Sequence, residues 1–148
     1  MPDRGGRDSG EVSGCTVPEV EMSSGGTSSF EPVPAAAAAA RRLVVTSLAG
    51  CEPTVVADAE LVTSELATNA ILHAGTPFTV AVSSRSDGAV RVAVSDGSRG
   101  LPVVRPPTAA AAGGRGLQIV DSLCRRWGVL PAGVPGGPAV GKTVWCEL

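Results

Sequence analysis

The chain has 148 residues, 43% of them hydrophobic, which is enough for one domain around a single ordinary core. A formal net charge of -2 and a pI near 5.3 provide no basic face for duplex nucleic acid, so direct nucleic-acid binding is not expected. No apolar run approaches the roughly 18 to 20 residues that span a bilayer, and Met1-Pro2-Asp3-Arg4-Gly5-Gly6 leads into no apolar signal core; the expectation is a soluble, cytoplasmic protein without a membrane partner.

Residues 1–34 hold Gly, Pro and Ser at nearly half their positions and contain no Leu or Ile. Such a segment buries too little apolar surface to offset ordering entropy and is read as a disordered tail ahead of a domain over 35–148. Pro34 then opens an alanine run that flows into Arg41-Arg42-Leu43-Val44-Val45-Thr46-Ser47-Leu48, stopped by Gly50. The Ala40, Val44, Leu48 spacing predicts a packed helix. Pro53 introduces a second helix from about Thr54 to Ala74, closed by Gly75 and Pro77.

Phe78, Val80 and Val82 alternate with smaller or polar residues, Ser86-Asp87-Gly88 makes a turn, and Val90, Val92 and Val94 alternate again: a β-hairpin with one buried face. Residues 96–113 lack periodicity, and an aperiodic stretch of that length inside a compact domain reads as a lid. From Gly116, the residues Leu117, Ile119, Val120, Leu123 and Cys124 mark one side of a third helix. Trp127–Leu130 and Thr143–Leu148 read as strands joined by a Gly/Pro-rich loop. This order predicts a two-layer α/β sandwich, with a mixed, mostly antiparallel sheet covered on one face by helices.

On the second helix, Leu61, Val62, Leu66, Ala70 and Leu72 define an inward arc of about 180° at about 100° per residue, and Glu65 and Asn69 fall inside it. The two are one turn apart, so a carboxylate and a carboxamide oxygen can converge on one site, and a magnesium-phosphate cluster suits that pair. The bland alternative is a capping or ion-paired Glu. Asp96, in Val94-Ser95-Asp96-Gly97-Ser98-Arg99-Gly100, stands where a strand meets a glycine loop. It could accept from the exocyclic amine of a purine, or simply make an Asp-Gly turn.

Gly113-Gly114-Arg115-Gly116-Leu117 opens the third helix, so free N–H groups and the helix dipole would face an anion there. Gly136-Gly137-Pro138-Ala139-Val140-Gly141-Lys142-Thr143 matches the P-loop pattern in full, yet Val144-Trp145-Cys146-Glu147-Leu148 is too short and strand-like to be the helix a P-loop needs. The match is read as accidental and the segment as a hairpin turn. His73 is read as a core or helix-terminal histidine, and Trp127, Trp145, Cys124 and Cys146 as packing residues. With scattered cysteines and a single His, no zinc set forms and reduced thiols are expected.

In order, Glu65-Leu66-Ala67-Thr68-Asn69-Ala70, Asp96-Gly97-Ser98-Arg99-Gly100, Gly114-Arg115-Gly116-Leu117 and Gly141-Lys142-Thr143 are similar to the N, G1, G2 and terminal Thr boxes of the GHKL (Bergerat-fold) ATPases. The stretch from Glu60 to Ala74 especially resembles small actinobacterial regulators of the anti-sigma-factor serine/threonine kinase type. The resemblance implies ATP with Mg2+ as cofactors. Asn69 would hold the magnesium, Asp96 would read the adenine amine, and Gly100 would let the base approach. Gly114, Arg115, Gly116 and Leu117 would hold the phosphate tail, and Thr143 would support the adenine. Glu65 would orient or deprotonate a serine hydroxyl or water. Ser98 departs from the usual glycine of the G1 box, and the lid offers only Arg99, Arg105 and Arg115 as cations.

The implied function is a regulatory protein kinase acting on a protein partner, such as an anti-sigma-factor antagonist or a sigma factor, with a single copy and a homodimer both open. The alternatives are a nucleotide-gated binding module without turnover, and an interaction domain that has lost its nucleotide.

Overall fold

The computed structural model describes residues 22–99, 116–132 and 140–148. Its strands are β1 (Met22–Phe30), β2 (Phe78–Arg85), β3 (Val90–Asp96), β4 (Arg126–Ala132) and β5 (Gly141–Glu147). Its helices are α1 (Ala35–Ser47), α2 (Pro53–Asn69), which runs on into a π-helical turn over Ala70–Ala74, and α3 (Gly116–Leu123). The strands form one sheet in the order β1-β2-β3-β5-β4, and each neighbouring pair is antiparallel. The two-layer sandwich is as expected, and the sheet, expected to be mostly antiparallel, is antiparallel throughout the described residues.

Period-two alternation decides which side of the sheet the helices cover. On β2 and β3, Phe78, Val80, Val82, Val90, Val92 and Val94 are buried, whereas the residues between them are half-buried. The pairing Val92↔Cys146 and Val94↔Val144 extends this apolar face onto β5. Against it pack Ala40, Val44 and Leu48 of the first helical segment and Val62, Leu66 and Ala70 of the second. The opposite face carries hydroxyl pairs, Ser29 with Thr79 at 3.1 Å and Ser95 with Thr143 at 2.7 Å, and the Trp145 ring beneath the Arg91 guanidinium at 4.8 Å. Cys146 lies on the core face; its interaction with the Cys124 thiol first and burial second push its thiol pKa up.

Residues 22–34 correct the reading of the N-terminal segment as wholly disordered, because β1 pairs with β2 from Met22↔Arg85 to Phe30↔Phe78. Backbone hydrogen bonds hold such an edge strand, and these leave no apolar signature in sequence. Its glycines have a packing role as well. A Cβ on Gly26 would collide with Ser47 Oγ and lie 3.2 Å from Leu43 Cδ1, so the bare backbone lets α1 lie directly on the strand. Phe30 closes β1 by stacking on Phe78, with ring centroids 5.5 Å apart.

The buried side of α2 is narrower than expected. Ala59, Val62, Thr63, Leu66, Ala67 and Ala70 form it, and Leu61 and Leu72 lie roughly opposite, 43% and 70% exposed. Small residues at Ala59, Thr63 and Ala67 bring the helix close to its neighbours, and the Thr63 hydroxyl is satisfied by the Ala59 carbonyl at 2.7 Å. The π turn ends at Gly75 in the left-handed region (φ 62), whose N–H bonds the Ala70 carbonyl, and it leaves His73 exposed, not in the core.

Phe30→Ala should lower the unfolding free energy by about 2 kcal/mol, through the lost aromatic pair and partial burial. Urea denaturation checks this, since a solvated tail residue would give no change.

Candidate functional site

Glu65 and Asn69 are both half-buried, at the margin of the buried arc of α2 next to Val62. Among the described residues neither side chain makes a hydrogen bond or an ion pair, so the capping or salt-bridge role open to Glu65 is not filled there. Their helix is tied to α1, where Arg41 Nη1 donates to Ser64 Oγ at 2.9 Å, while within α2 the Thr68 hydroxyl donates to the Ser64 carbonyl at 2.7 Å.

The first residue of α3 meets this pair. A Cβ on Gly116 would stand 2.9 Å from Glu65 Oε2 and 3.6 Å from both Asn69 Nδ2 and Oδ1. Glycine therefore allows a helix N-terminus to close on a carboxylate and a carboxamide at once, and in doing so brings together two segments about fifty residues apart in sequence. The first N–H groups of α3 lack intrahelical acceptors and sit at the positive end of the helix dipole. Leu117 contributes only backbone to such a site, because its side chain is buried in the core.

Asp96 ends β3 on the core face and is 8% exposed. Its carboxylate accepts from the Ser98 N–H at 2.8 Å and, through both oxygens, from Lys142 Nζ at 3.0 and 3.0 Å. The following residue is tied to the end of the α2 segment, as Gly97 N–H donates to Thr76 Oγ1 at 2.8 Å. Thr76 and Lys142 are the residues that sequence reasoning missed. The pointer to Lys142 was available only through strand register: Asp96 pairs with Lys142, and Ser95 with Thr143.

The same register sets where Thr143 stands. Its hydroxyl meets Ser95 on the other face of the sheet, so Lys142, not Thr143, stands beside the Asp96 carboxylate. Gly141-Lys142-Thr143 lies on β5 and opens no helix, which agrees with rejecting the P-loop match. Gly100, Gly114 and Arg115, the lid over 100–113 with Arg105, and the hairpin loop over 133–139 lie outside the described residues. Among the described residues no cluster of His, Cys, Asp and Glu could hold a metal by itself, and no helix is long and apolar enough to cross a membrane.

Gly116→Ala should keep the fold, since alanine suits a helix, but must move the Glu65 carboxylate. The expected result is a melting temperature within a few degrees of wild type with a displaced Glu65 carboxyl 13C resonance; an unmoved resonance would contradict the contact.

Residues 30–134 match the family described as Histidine kinase-like ATPase domain. No curated protein matches the chain. Among solved structures, the crystal structure of the RsbU and RsbW domains of Rv1364c from Mycobacterium tuberculosis is similar, with a TM-score of 0.57 and 20% identity over 82% of this chain. The match spans 32% of that longer chain, and at this identity it speaks for the fold. The family match covers well over half of the sequence, so the chain belongs to the histidine kinase-like ATPase domain family.

Proposed function

We propose that this protein binds Mg-ATP between α2, the end of β3 and the start of α3, and acts as an anti-sigma-factor-like serine/threonine protein kinase. The observation that carries the reading is the meeting of Glu65 and Asn69 with Gly116, where two polar side chains without partners among the described residues face the N-terminus of α3. This arrangement fits a metal-bound polyphosphate. The Asn69 carboxamide oxygen is a hard ligand of the kind magnesium takes, and the N–H groups of α3 are donors for phosphate oxygens.

Bound ATP would supply the electrophilic γ-phosphoryl group, whose bond to the β-phosphate oxygen breaks as the bond to the attacking hydroxyl oxygen forms, with ADP as the leaving group. The rest falls to the chain. Asn69 fixes the metal end, Gly116 with Gly114 and Arg115 receives the phosphate tail, and Asp96 with Gly100 takes the base. Glu65 holds the attacking hydroxyl of a protein serine or threonine and accepts its proton at a carboxylate oxygen. Catalysis then rests on positioning and on charge placed in advance, as phosphoryl transfer generally requires.

The partner fitting this reading is an anti-sigma-factor antagonist or a sigma factor in the cytoplasm. A second reading, a nucleotide-gated binding module without turnover, draws support from Ser98 at the place of a G1 glycine and from an Asp96 already paired with Lys142. In both readings the same site binds the nucleotide.

Asn69→Ala should weaken ATP binding about tenfold or more in magnesium and far less in its absence, as measured by calorimetry. Glu65→Ala should keep ATP binding and lower transfer of labelled phosphate to an antagonist protein by about 10²- to 10⁴-fold. Binding retained in both proteins, with no transfer by the wild type to any antagonist, would favour the binding module.

A further inference from the structure

The proposed reading gives Asp96 the base and leaves Lys142 without a task, although Lys142 is the group bonded to Asp96. A carboxylate offers about four lone-pair positions. The Ser98 N–H and Lys142 Nζ occupy Oδ1, and Lys142 also occupies one position on Oδ2. Among the described residues, one acceptor position on Oδ2 is left. The ammonium carries about three N–H donors, two of them engaged by Asp96, so among the described residues one donor is left beside it. The pair therefore shows an adjacent acceptor and donor, on side chains only 5% and 12% exposed.

Adenine presents the complementary edge, an exocyclic amine that donates next to ring nitrogen N1, which accepts. We propose that Lys142 is a specificity-determining residue: its Nζ donates to N1 of the adenine while Asp96 Oδ2 accepts from the exocyclic amine. Guanine carries the reverse pattern, O6 accepting and N1–H donating. In the same orientation it would set N–H against ammonium and an oxygen against carboxylate, and to match it must turn over, which moves its ribose away. Burial strengthens both bonds and makes the wrong edge costly, since desolvated polar groups would be left unpaired. This inference rests on the reading of Asp96 as the base-binding residue.

Lys142 is the single lysine of the sequence, so the full chain grown with 13C,15N-lysine gives one side-chain signal. That protein is titrated with ATP and with 1-deaza-ATP, in which N1 is replaced by C–H. The expected outcome is about tenfold weaker binding of 1-deaza-ATP, with the Nζ resonance shifted by ATP and left near its free position by the analogue at saturation. Lys142→Met should bind ATP and 1-deaza-ATP alike, both about as weakly as the wild type binds the analogue.

Equal affinity of the wild type for the two nucleotides overturns the proposal. So does tighter ATP binding by Lys142→Met, which would make the lysine a competitor of the base. If Lys142→Met does not fold, the wild-type affinities and resonance decide. Asp96→Asn separates the two levels. ATP binding as tight as wild type in that variant defeats the base-reading role of Asp96 itself, and no nucleotide binding by the wild type defeats the whole reading and this inference with it.

Discussion

The one-residue alternation of a sheet with a single covered face constrains everything else in this protein. Because Val92 and Val94 must point toward the helices, Asp96 points there too, and the pairing of β3 with β5 then delivers Lys142 to the same spot. A slip by one residue would exchange the two faces, setting Thr143 next to Asp96 and sending Val144 to the solvent side. The apolar core thus decides which polar side chains reach the site.

The second requirement is a close approach between rigid elements. Glu65 and Asn69 stand on a seventeen-residue helix packed on the sheet, and Gly116 begins another helix whose far end is fastened at Trp127, where Nε1 donates to Asp121 Oδ1 at 2.9 Å. Sites set on helices keep their geometry better than sites set on loops. Here the distance between them is fixed by the absence of a side chain, so the residue that contributes least chemistry determines whether the others can act together.

Much of this was legible in the sequence. Helical spacing marked Ala40, Val44 and Leu48, valine alternation marked the hairpin, and the boxes placed Glu65, Asn69, Asp96 and Gly116 on the right elements. Illegible features depended on contacts between distant segments. β1 has no apolar alternation because backbone pairing and a helix lying on Gly26 hold it. Leu61 and Leu72 are apolar yet exposed, because small residues take the packed side of α2. Lys142 emerged only when the register was known, since a lysine next to a glycine in a strand-like tail has no meaning without its partner strand.

β1 lies at one rim of the sheet and is built largely from serine and glycine, so its opening costs less than that of the inner strands β3 and β5. Asp96 and Lys142 stand on β3 and β5, each flanked by strands on both sides. Amide protons of Thr27 and Ser28 should therefore trade with solvent through local fraying at rates that report nothing about the site. Those of Val94 and Val144 should wait for global unfolding. The edge can breathe while the polar pair in the middle stays assembled.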